Sequence, residues 1–110
     1  MERIHYAGND VLTGTSISVA LLEYARALGA NDKSDTIEIP AIDDEGNRVT
    51  SRFLIGPASQ LVADSEVSEY EEIEDEQLVA ELRRKTAALN RPGARTEPAT
   101  DSPMSNLDEL

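Results

Sequence analysis

Residues 13–28 read TGTSISVALLEYARAL, with Gly29 immediately after. On a helical wheel Ile17, Ala20, Leu21, Tyr24 and Leu28 share a stripe about 100° wide, while Ser18, Glu23 and Arg26 point elsewhere. Thr13, Thr15 and Ser16 are candidate N-caps, and Gly29 supplies the left-handed residue that ends such helices. A helix with one apolar stripe needs a surface to cover. The flanking segments offer one, because their apolar residues recur every second position.

Residues 3–7 alternate, with Ile4 and Tyr6 on one side and Arg3, His5 and Ala7 on the other. A turn at Gly8-Asn9 returns the chain through Val11-Leu12. Residues 36–41 point Ile37, Ile39 and Ala41 inward and Thr36 and Glu38 outward. Asp43-Asp44-Glu45-Gly46-Asn47 is turn chemistry. Residues 48–55 then set Val49, Ser51, Phe53 and Ile55 against Arg48, Thr50 and Arg52. Pro40 cannot donate to a ladder, which places its strand at an edge. Pro57 opens a short helical turn through Val62 with Leu61 folded back on the core. The expected fold is α+β: a three- to four-stranded, mostly antiparallel sheet in the order β(β)-α-β-β-α over residues 1–62, with the helix on one face.

Charge divides the remainder of the chain. Of a net charge of −12, residues 63–76 carry −8, with eight acids and no base. This predicts an extended or disordered acidic linker over 63–74. From 75 to 90 the period becomes helical, with Leu78, Val79, Leu82, Thr86 and Leu89 on one side. Acids lie at the start of this helix and Arg83, Arg84 and Lys85 towards its end, complementing the dipole. Either it completes the core or it is held for a partner's groove. Residues 91–110 contain three prolines and read as a disordered tail.

The same numbers bound function. Only four aromatics, Tyr6, Tyr24, Phe53 and Tyr70, are available to a thin aliphatic core. Without cysteine there is no disulfide or thiolate metal site. The acidic balance opposes direct binding to nucleic acid or anionic membrane. No run approaches the ~20 apolar residues of a membrane span, and with no signal-like N-terminus a cytoplasmic location is expected. His5 is the only histidine, and no nucleophile or orienting acid is spaced to serve it. Residues 41–52 fail as a calcium loop, because Ala41 and Arg52 occupy ligand positions. No cofactor, metal or catalytic residue is expected.

What remains is a non-catalytic adaptor or regulator. Its expected contacts with a protein partner are Leu78, Val79, Leu82 and Leu89 on the C-terminal helix and Glu71, Glu72 and Glu74 in the acidic run. Val19 and Leu22, on the outer face of the first helix, would serve a partner or a homodimer. The partner would present a basic surface or an apolar groove. An acidic inhibitor or nucleic-acid mimic that occupies a basic site on another protein is the alternative, and an enzyme with an unrecognised site the remote one.

Overall fold

The computed structural model describes residues 1–91; all of the predicted tail but Arg91 lies outside them. The elements run β1 (Glu2–Tyr6), β2 (Asn9–Thr13), α1 (Thr15–Ala30), β3 (Asp35–Ile42), β4 (Arg48–Ile55), β5 (Leu61–Ser65) and α2 (Glu76–Asn90). The fold is α+β, with one antiparallel sheet in the order β4-β3-β2-β1-β5.

The sheet has five strands where three or four are expected. The additional strand, β5, takes the last two residues of the predicted helical turn and the start of the predicted linker, and pairs along all of β1 from Tyr6–Leu61 to Glu2–Ser65. Leu61 and Ala63 pack against the core while Val62 and Asp64 face solvent. The acids hide that alternation in the sequence, and a strand some sixty residues earlier completes it. The first strand is therefore central, with β2 on one side and β5 on the other.

Two turns lie elsewhere than the sequence places them. Tyr6 pairs with Asn9, so the two loop residues are Ala7 (φ 53°) and Gly8 (φ 83°), a pairing of left-handed conformations that suits a tight hairpin. Helix α1 runs through Gly29 to Ala30. It closes with Asp32 (φ 57°) in the left-handed position, where Lys33 N donates to Leu28 O at 2.9 Å and Asp32 N to Gly29 O at 3.2 Å. This is the paired C-terminal bonding of the Schellman motif, with aspartate taking glycine's usual place.

The β2–β3 junction is a single pair, Leu12–Ile42. Beyond it the Thr13 hydroxyl donates to Pro40 O at 2.7 Å. A strand residue's N–H and C=O point the same way, so the donor that Pro40 lacks falls where β2 has already ended. An internal strand thus tolerates proline for the reason an edge does. In a flat sheet three strand spacings, about 14 Å, would separate β1 from β4. Instead the Tyr6 and Phe53 rings lie 5.4 Å apart, and the Tyr6 hydroxyl donates to Leu54 O. The sheet is folded over on itself, and Tyr6 pins the fold.

Ile4, Ile17, Leu21, Ile39 and Ile55 fill the centre, fully buried. Ser18, expected to point away from the core, is also buried and donates to Glu2 Oε1 at 2.8 Å. Ile73 and Leu82 complete the cluster, so α2 belongs to the core of this fold. It lies alongside α1 in the same direction. The Ile73 carbonyl abuts Gly14 ahead of α1, while Thr86 and Asn90 share a cleft with Glu23, Arg26 and Ala30 near its end.

Candidate interaction surfaces

The acidic run divides between the end of β5, an extended segment and the start of α2. Residues 66–74 form an extended strap from the end of β5 to the start of α2, tied down along its length. Arg3 clamps the Glu66 carboxylate with Nε and Nη2, both at 2.7 Å, and reaches Asp10 with Nη1 at 2.8 Å. This fork geometry holds Glu66 below the usual carboxylate pKa range, first through the Arg3 hydrogen bonds and then through its charge, and raises that of Arg3. Glu66 N also donates to Met1 O at 3.1 Å. At mid-strap the Tyr70 hydroxyl lies against Gly46 in the β3–β4 turn. Gly46 has φ 84°, so glycine there serves both the turn and the contact.

Glu72 secures the far end. Its carboxylate accepts from Thr15 N at 2.6 Å and from the Met1 amino group at 2.9 Å, and these two bonds, the first the larger, lower its pKa. The N-cap of α1 is Gly14, which has no side chain to cap with. A carboxylate 57 residues later supplies the missing acceptor. Three residues on, Asp75 accepts from Leu78 N at 3.0 Å and caps α2. Parallel neighbours bring their positive ends together, and Glu72 and Asp75 are the anions placed there.

The predicted contact residues divide between interior and surface. Leu82 is 1% exposed, and Leu78, Val79 and Leu89 are half-buried against the core. The apolar side of α2 is spent on its own fold. Glu71, Glu72 and Glu74 are exposed along the strap, with Glu72 also engaged at α1. Val19 is exposed on α1, and Leu22 is half-buried beside Pro57 and Leu61. Sequence reasoning missed the anchors Glu66, Tyr70 and Ile73. Ile73 was the one legible signal, an apolar residue alone among six neighbouring acids and buried to 3%.

Two further clusters resemble sites. Tyr24 donates to Asp35 Oδ2 at 2.6 Å, and Lys85 Nζ lies 3.5 Å from the same oxygen and 5.9 Å from the Tyr24 ring centre. Burial and then the Asp35 bond raise the phenol's pKa, the opposite of what a nucleophile or base requires. The trio joins α1, β3 and α2. His5 Nε2 lies 3.1 Å from Asp64 Oδ2 on the sheet's outer face, and among the described residues no hydroxyl is hydrogen-bonded to the ring. Among the described residues no three His, Asp or Glu side chains converge as metal ligands, and no helix is long and apolar enough to cross a membrane.

No family model matches the chain, and no curated protein and no solved structure matches it either.

Proposed function

We propose that this protein is a non-catalytic interaction module whose partner-facing surface is the acidic strap, with α2 and α1 as the frame that holds it. The observation that carries this reading is the strap's form. Glu66, Glu72 and Ile73 are anchored, while Glu69, Glu71 and Glu74 stand in solvent with Val67 fully exposed and Tyr70 40% exposed. Carboxylates carried on an anchored backbone beside exposed Val67 and Tyr70 suit a basic protein surface with a shallow apolar centre. Ordering has been completed in folding, so little entropy is lost on binding.

The test uses the full chain, because a cut at residue 62 would remove most of β5. A variant with Glu69→Lys, Glu71→Lys and Glu74→Lys, all exposed, is compared with the native protein as bait in affinity capture. The expected outcome is loss of the captured basic partners and, for the native chain, an association rate that falls with added salt. An unchanged captured set would refute the reading.

The anchored backbone also supports a second reading, an inhibitor that occupies a basic nucleic-acid site, since such mimicry needs carboxylates held in place. Duplex DNA competing with the protein for the captured partner distinguishes it; a partner held equally with DNA present would reject it.

A further inference from the structure

The strap is the acidic face of the molecule; the open edge of β4 carries two exposed arginines, Arg48 and Arg52, beyond the acidic β3–β4 turn. Strand β4 reads RVTSRFLI and closes one side of the sheet. Pro40 pairs with Thr50, and the Pro40 carbonyl points away from β4 towards Thr13. Thr50 is therefore a non-hydrogen-bonded partner, and with the alternation of an antiparallel ladder so are Arg48, Arg52 and Leu54. Their N–H and C=O groups project from the open edge. The Tyr6 hydroxyl takes the Leu54 carbonyl, which closes one end. From Arg48 to Arg52 the edge meets solvent, and all but half-buried Val49 and Ser51 are exposed.

Three features make this edge receptive. It contains no proline and pairs with β3 without a bulge, so the charges of Arg48 and Arg52 are all that guards it. Beside it lies a cavity of about 290 Å³ between Ser51, Arg52 and Phe53 on β4 and Tyr6, Asp10 and Val11 on the β1–β2 hairpin, with the Asp10 carboxylate held by Arg3 at 2.8 Å. Its outer face carries Arg48 and Arg52; Arg52 pairs with Glu38 at 2.8 Å, and Arg48 has no ion-pair partner among the described residues. A second copy adding β4 to β4 would bring these arginines together. The geometry points to an extended acidic peptide as the occupant: it adds as a sixth strand along Arg48–Arg52, its backbone bonding to Thr50 and Arg52. Alternate side chains are acidic towards the arginines and apolar towards Phe53 and Val11.

The probe is the end-blocked peptide TEVEVEVT, with TKVKVKVT and a copy of the acidic peptide N-methylated at alternate amides as controls, titrated against the full chain by fluorescence anisotropy. Binding of the acidic probe is expected, with about tenfold weaker binding of both controls. Thr50→Pro removes one outward N–H at a position where an edge strand accepts proline, and should weaken the acidic probe to the same extent. If that variant loses its native circular dichroism, Arg48→Glu with Arg52→Glu carries the test, reversing the preference towards the lysine peptide. Failure of the acidic probe to bind the native chain, equal binding of the lysine or methylated peptide, or undiminished binding to a folded Thr50→Pro would each overturn the inference. So would a β4-dependent dimer in sedimentation.

Discussion

At the scale of single residues, two glycines owe their roles to neighbours that local sequence does not reveal. Gly29 resembles a helix terminator but lies inside α1, where an added Cβ meets only Pro57 Cα at 3.9 Å. Gly29→Ala is therefore expected to stabilise the fold by about 0.5–1 kcal/mol. Gly14 has an ordinary φ of −70°, yet an added Cβ would overlap the Ile73 carbonyl oxygen. Gly14→Ala is expected to cost about 1–3 kcal/mol by forcing strap and helix apart. Urea denaturation midpoints for the two variants check both signs. Neither outcome is legible in the sequence, because each depends on a neighbour far along the chain or on where a helix stops. What was legible was periodicity: Ile17, Leu21, Tyr24 and Leu28 face the core as their spacing requires, and so do Ile37 and Ile39.

At the scale of elements, local pattern identified α1, the β3–β4 hairpin and α2, each of which carries its own period. It failed at β5 and the strap, where charge density suggested disorder. Eight acids on a free segment repel one another, but here Arg3, the Met1 amino group and the first turn of α1 offset that repulsion at Glu66 and Glu72. The docking of α2 is a second element-scale matter that sequence left open, since its apolar side suits a groove in this chain or in another. Leu82 decides it, being buried in the common core. Leu82→Ala is expected to destabilise the whole protein by about 2–5 kcal/mol. In native-state hydrogen exchange, amides of both helices should lose protection together. Loss confined to α2 would show that the helix is an accessory.

At the scale of the whole molecule, acid sensitivity arises from the strap. The carboxyl pKa of Glu72 is lowered in the folded state, so the unfolded chain binds more protons at moderately acid pH. Its contribution to stability is complete above the unfolded value, 4.5, and disappears as pH falls through the lowered folded value. Asp35, held down first by the Tyr24 hydroxyl, adds a second contribution of the same sign. Glu72→Gln should accordingly be less stable than the native chain at neutral pH, with the difference shrinking as pH falls below 4.5. Thermal melts across that range measure it, and a constant offset would mean that the charge on Glu72 is not what holds the strap.

The central place of β1 has a consequence for how the chain becomes a fold during synthesis and refolding. Its hairpin with β2 and the β3–β4 hairpin close over short distances and form early, whereas the second side of β1 waits for residues 61–65. Until they arrive, the earliest strand made is a bare template able to recruit any extended chain nearby. The slowest step, and the interval of greatest aggregation hazard, is the arrival of its last neighbour.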